Sequence, residues 1–182
     1  MPARSVALLR GINVGTAKRI GMAELRSVLV DLGYTGVITH LQSGNVVFTS
    51  SAAAARTAAK DIERSVHARL GVRSTVVMRS AAELAAVIAN APLLDVMTDP
   101  SRFLVGFLSG DPNSIAVRNF RALDVAPDQI RIRGREVYMW CPGGVIASPL
   151  TKLVTEKSLG VAVTMRNWNT VTRLAALAGA QP

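Results

Sequence analysis

The chain is poor in aromatics, in acids and in cysteine. Phe, Trp and Tyr make up 4% of its 182 residues, so the core has to be built from Ala, Val, Leu and Ile. A single cysteine, Cys141, excludes an intramolecular disulfide and any cysteine-rich zinc site. No apolar run approaches the roughly 20 residues needed to span a bilayer. The start, Met1–Leu9, lacks the long apolar stretch and the small-residue cleavage site of a secretory signal. A free thiol suits a reducing compartment, so a cytoplasmic protein without a membrane partner is expected.

The charge shortage falls on the acids alone. Lys and Arg number 21 against 12 Asp and Glu, a net charge of +9. Such a balance points to nucleic acid, anionic lipid or acidic small molecules as partners. The bases are spread from Arg4 to Arg173 without a run of four, so composition alone does not locate a binding face. Arg outnumbers Lys 17 to 4, and with the excess of Ala this resembles GC-rich coding. The net charge survives any exchange of Lys for Arg.

Hydrophobic periodicity orders the chain. Ser5–Arg10 reads as a buried strand, and the glycine-punctuated Gly11–Gly21 as a loop. Met22–Leu32 has helical spacing and is followed by Gly33. The β-branched runs Gly36–Gln42 and Val46–Ser50 flank Ser43-Gly44-Asn45, a hairpin signal. Ala52–Leu70 is an Ala-rich helix closed by Gly71, and Arg73–Arg79 a strand. A helix over Glu83–Asn90 joins two halves. The second half repeats the order: strand Phe103–Leu108, helix Asn113–Leu123, strands Gln129–Arg133 and Glu136–Cys141, helix Pro149–Leu159, strand Val161–Met165. A last helix covers Trp168–Ala178. Residue identity between the halves is poor, so the repeat is one of pattern only.

The fold class is therefore α+β: two tandem ferredoxin-like (βαββαβ) subdomains with antiparallel sheets plus a C-terminal helix. The division expected is residues 1–80 and 81–182, forming one cooperative unit because each half is small. In this topology the loop after the first strand and the hairpin turn share one end of the sheet. That places Gly11–Gly21 beside Ser43-Gly44-Asn45, and Ser109–Asn113 beside Arg133-Gly134-Arg135.

Three stretches carry a family likeness. Ala7–Gly15 (ALLRGINVG), Gln42–Phe48 (QSGNVVF) and Arg166–Val171 (RNWNTV) resemble, in order, signatures of the bacterial family called domain of unknown function 1697 (DUF1697). The likeness runs over essentially the whole chain, with Lys152–Leu159 at the family's penultimate helix. It implies a two-subdomain α+β fold and brings no established activity.

Chemically, the same stretches are candidates for anion binding. A glycine-bearing loop between strand and helix can aim backbone N–H groups at an anion, aided by the helix dipole. Arg10, Asn13 and Lys18 would serve there. The plainer reading is a tight turn in which Asn13 bonds its own backbone. Gln42, Ser43 and Asn45 form the neighbouring candidate. Ser43 as a nucleophile would need His40 as base, and no carboxylate accompanies the pair. Arg166, Asn167 and Asn169 could hold a phosphate or carboxylate at a helix N-terminus, or the Asn residues could simply cap it.

The scattered acids form no acid–base or two-metal constellation, and His40 and His67 are isolated. No metal, cofactor or catalytic residue is assigned, Cys141 stands in no reactive motif, and whether the chain is an enzyme stays open. One constellation favours nucleic acid. Phe103 and Phe107 share one strand face, Tyr138 and Trp140 another, with Arg133 and Arg135 nearby. Adjacent central strands in this fold could stack bases, although the glycine and phenylalanines of the RNP1 pattern are absent. The competing reading is that these aromatics are core. Two functions follow. The preferred one is a basic protein binding RNA or single-stranded DNA. The alternative is a small-molecule protein or enzyme taking a phosphate- or carboxylate-bearing ligand at the strand–loop–helix motifs.

Overall fold

The computed structural model describes residues 3–15 and 19–179. Lys18, a candidate above, lies outside them. The chain forms a mixed α/β fold with two four-stranded sheets, in two compact units: residues 1–86 with 174–182, and residues 87–173. Among the described residues no helix is long and apolar enough to cross a membrane.

The first unit runs β1 (Ala3–Leu9), α1 (Met22–Asp31), β2 (Thr35–His40), β3 (Asn45–Ser50), α2 (Ala52–Leu70), β4 (Val76–Ser80) and the start of α3 (Ala81–Ala89). Its strands are antiparallel in the order β2-β3-β1-β4, with Val6 opposite Val47 and Ala7 opposite Met78. β1 is central, and Ser5–Leu9 is buried on both faces. Ala7, Leu9, Val46 and Phe48 face one way, onto Leu25, Val28 and Leu29 of α1 and Ala58, Ile62 and Val66 of α2. Those helix positions recur at three- and four-residue intervals, the spacing of a single buried stripe. The one aromatic pair here, Tyr34 with Phe48, stacks at 4.5 Å. α2 starts where Ser51 Oγ accepts the Ala54 N–H (3.2 Å) and stops at Gly71, left-handed at φ +66°.

The second unit runs β5 (Phe103–Leu108), α4 (Ser114–Ala122), β6 (Gln129–Arg133), β7 (Glu136–Trp140), α5 (Leu150–Leu153), α6 (Glu156–Leu159), β8 (Val163–Asn167) and most of α7 (Trp168–Ala178). Its antiparallel order is β6-β7-β5-β8. Leu104, Leu108, Val137 and Met139 pack on Ala116 and Phe120 of α4 and on Leu150 and Leu159.

Several boundaries differ from expectation for local reasons. Pro149–Leu159 is two four-residue helices, because Thr155 restarts the chain. Its Oγ1 accepts the Ser158 N–H (3.2 Å), while its own N–H donates to Ser158 Oγ (3.0 Å). β4 begins at Val76, since Ser74 and Thr75 are drawn instead to Arg10. β8 extends to Asn167 and α7 follows without a loop.

The halves also match in detail. Leu9 N–H donates to Gly44 O (2.8 Å), as Leu108 N–H does to Arg135 O (3.0 Å). Arg10 N–H donates to Thr75 O, and Ser109 N–H to Ala162 O, both at 2.9 Å. Counting on from those acceptors, Val76-Val77-Met78-Arg79-Ser80 aligns with Val163-Thr164-Met165-Arg166-Asn167. Both arginines are buried and each donates to the carbonyl just before it, Met78 O (2.7 Å) and Met165 O (2.8 Å). The repeat is thus one of residues as well as pattern at this strand.

Gly44 is where the hairpin meets β1. It sits at φ +78°, and an added Cβ would lie 2.6 Å from Ile12 Cδ1 and 2.8 Å from Leu9 Cβ. Gly33 has φ +85° but open space around it. Gly44→Ala is expected to destabilise by about 2–5 kcal/mol, combining left-handed strain with overpacking. Gly33→Ala should cost only the strain, about 1–2 kcal/mol. Urea unfolding of the two variants checks the difference, and equal losses would contradict the packing of Gly44.

Candidate anion-binding site

The loop after β1 and the β2–β3 turn lie together, and an asparagine from each binds backbone. Asn13 adopts φ +57°, a region Asn tolerates better than most residues. Its Nδ2 donates to Ile20 O (3.0 Å) and Gln42 O (2.7 Å), and its Oδ1 accepts the Ile20 N–H (2.7 Å). Asn45 is fully buried, with Nδ2 donating to His40 O and Ser43 Oγ, both at 2.9 Å. Gln42 and Ser43 are exposed. Arg10 is half-buried, and its carbonyl accepts from Ser74 Oγ (2.8 Å).

Arg166, Asn167 and Asn169 belong to the second unit. Arg166 is 8% exposed and donates to Thr164 Oγ1 and Met165 O, both at 2.8 Å. Burial pushes its pKa down to about 10. Asn167 Oδ1 accepts from the Thr170 N–H (3.0 Å) and hydroxyl (2.8 Å), as a helix cap does. Asn169 is exposed in the first turn of α7. An anion at this junction would have to displace bonds that hold the strand and helix in place.

The stacking face requires a correction. Phe103, Phe107, Tyr138 and Trp140 are all closed to solvent, at 0–5% exposure. Trp168 meets Phe103 edge-on at 5.3 Å, and Tyr138 OH donates to Val87 O (3.2 Å). Large rings on a central strand are worth most when buried, and packing takes them here. Arg133 is exposed with its guanidinium on Asn90 O (2.7 Å), and Arg135 is half-buried at the turn.

A different surface collects basic residues. On α2, Arg56, Lys60, Arg64 and His67 recur at intervals of four, four and three residues, which puts them on one stripe. All four are exposed. Toward the end of the helix, Lys60, Glu63, Arg64 and His67 form one wall of a cleft of about 360 Å³, and Arg73 and Ser74 form the other. The lining also holds one acid, Glu63, whose Oε1 accepts the Val76 N–H (2.7 Å) while its charge stays beside the bases. Arg64 has only a loose exposed contact with Asp61 (3.7 Å), of a kind worth about 0–1 kcal/mol. Arg69, off the stripe, pairs with Asp31. The second unit has a cleft of similar size between α4 and β6, where Arg121 and Arg131 are balanced by Asp124 and Asp128.

The profile of a family described as a protein of unknown function, DUF1697, matches residues 3–138. The chain belongs to that family. Of the three signature stretches, those at 7–15 and 42–48 fall inside the match, and the one at 166–171 lies beyond it. The structure of a conserved bacterial protein from Streptococcus pneumoniae is similar over 98% of this chain and 99% of that one, with a TM-score of 0.77 and 22% identity. That likeness speaks for the fold alone. No curated protein matches the chain.

In this DUF1697 chain the α2 stripe is faint as sequence. Ala masks the periodicity of the four bases, and Arg73 joins them only through the fold. The available signal was the spacing of Arg56, Lys60, Arg64 and His67 within one predicted helix. Cys141 has the opposite character. It is buried, burial pushes its thiol pKa up, and a bond with the Ser148 hydroxyl offsets this only in part. Ser148 Oγ in turn donates to Asp128 Oδ2 (2.5 Å). Because the thiolate is the reactive form, Cys141 should resist a thiol reagent at pH 8 in the native protein. Labelling at least about 100-fold slower than in denaturant is expected, followed by absorbance, and equal rates would contradict this burial.

Proposed function

We propose that this protein binds single-stranded nucleic acid, RNA or DNA, through its phosphate backbone and without catalysis. The observation that carries the reading is the exposed basic stripe Arg56–Lys60–Arg64–His67 with Arg73 beside it. Charge asymmetry supports it, since the first unit holds eleven Lys and Arg against five Asp and Glu. The stripe extends about 16 Å at 1.5 Å per residue, roughly one base per turn, which suits a strand lying along the helix. With the aromatic face buried, base stacking is not part of the reading, and sequence-tolerant binding follows. The strand–loop–helix motifs favour a small anionic ligand less, because Asn13, Asn45, Arg166 and Asn167 are engaged with their own backbone or neighbouring groups. We read each unit as ferredoxin-like, a reading supported by the parallel orders β2-β3-β1-β4 and β6-β7-β5-β8. A reducing cytoplasm suits the free, buried Cys141.

Binding of a mixed-sequence single-stranded RNA, followed by fluorescence anisotropy across a salt series, tests the proposal. Three or four phosphate contacts predict a slope of about −2 to −3 in log affinity against log salt. Replacing Lys60, Arg64 and Arg73 together by Ala should flatten that slope by about 2. Absence of binding at low salt, or a slope untouched by the triple variant, would overturn the reading.

A further inference from the structure

We infer that the cleft between α2 and residues 73–74 is a site for a phosphate monoester, and that its natural source is the terminal phosphate of a bound strand. The inference rests on the reading of the α2 stripe and names the part of the strand that the cleft takes.

The stripe and the cleft differ in shape. Arg56 lies on open helix surface, where a cation meets a passing backbone phosphate from one side. At Lys60, Arg64 and Arg73 the cationic residues come from two elements and, with Glu63, His67 and Ser74, line a shallow, open depression of about 360 Å³. A depression of that size has room for a small ligand group while leaving it partly open to solvent. The lining residues are all charged or polar, so the site does not suit an apolar ligand. A phosphate monoester carries about −1.5 to −2 charges at neutral pH and three terminal oxygens, whereas a backbone diester carries one charge. Cations on two walls gain most from the group with more charge and more acceptors. Two arginines add planar, forked donors suited to phosphate.

The scaffold is set before any ligand arrives. Ser74 Oγ donates to Arg10 O (2.8 Å) and Arg10 N–H to Thr75 O (2.9 Å), which ties the second wall to the central strand. Glu63 ties the first wall to β4 through the Val76 N–H (2.7 Å). That bond also occupies one oxygen of the only acid in the lining. Gly71, left-handed at φ +66°, turns the chain from one wall to the other. Walls held by backbone bonds need not rearrange when a ligand binds, and the ordering cost falls on the exposed Lys60, Arg64 and Arg73 side chains.

The test uses one 12-nucleotide single strand in three forms, with a 5′-phosphate, with a 3′-phosphate, and with neither, together with a nucleoside monophosphate as competitor. One phosphorylated end should bind about 10-fold tighter than the unphosphorylated strand. Arg73→Ala should abolish that preference, Arg73→Lys should retain part of it, and Arg56→Ala should weaken all three strands alike. Circular dichroism and thermal unfolding establish that each variant is folded. If all three forms bind equally and the monophosphate does not compete, the cleft assignment is wrong while the stripe stands. If no strand binds but the monophosphate does, and Arg73→Ala abolishes it, the cleft is a phosphate monoester site and the strand reading fails. Binding of neither overturns both.

Discussion

The end of β1 is held from both sides, and the arrangement of the first unit depends on it. Leu9 N–H is taken by Gly44 O and the next amide, Arg10 N–H, by Thr75 O. The first bond brings the hairpin turn so close that only a glycine fits, and Asn13 closes the same contact from the loop side. The second bond draws residues 74–75 to the central strand before β4 begins. A strand buried on both faces has no water to satisfy its last amides, so these partners are required rather than incidental. The same two bonds recur at Leu108 and Ser109, so the constraint organises each unit in turn.

That constraint also positions the cationic cleft. Arg73 and Ser74 would otherwise belong to a free connection after Gly71. Because Arg10 holds Ser74 and Thr75, the connection runs close beside α2, and Arg73 comes to face bases that lie several residues earlier on the helix. A surface charge cluster of this kind costs little desolvation, although like charges at four-residue spacing repel by a few tenths of a kcal/mol a pair. Each basic side chain is exposed, its desolvation is small, and the buried Ala58, Ile62 and Val66 anchor the helix from the opposite face. The electrostatic feature and the core are therefore carried by one helix without conflict.

The order of strands and helices was legible because alternation and helical spacing are local signals. α2 could be bounded from Ser51 and Gly71 alone, since both ends are set by nearest neighbours. Pro149–Leu159 was not, because the break depends on a reciprocal bond between Thr155 and Ser158 that spacing does not reveal. The aromatic strands show another limit. Alternation placed Phe103 with Phe107 and Tyr138 with Trp140 correctly on shared faces, yet which face meets solvent depends on contacts such as Trp168 and Val87, far along the chain. The repeated Met-Arg step at Arg79 and Arg166 went unread for a related reason. Five residues 87 positions apart are faint as sequence, and only the matched backbone bonds align them.

Why a family likeness can be specific and still silent about activity follows from the roles of these residues. Gly44 is fixed by steric contact, Asn13 by a left-handed turn and three bonds, Asn45 by complete burial, and Asn167 by a helix cap. Each stands in a stretch that carries the likeness, and each is occupied in holding the backbone. A polar residue committed to backbone partners has little left to offer a ligand without loss of structure. Lys60, Arg64 and Arg73 stand in none of those stretches, and among the described residues their side chains show no hydrogen bond to backbone. Residues that identify a fold and residues that meet a ligand are thus separate sets here, and the charge pattern of α2 locates the second set where the signatures do not.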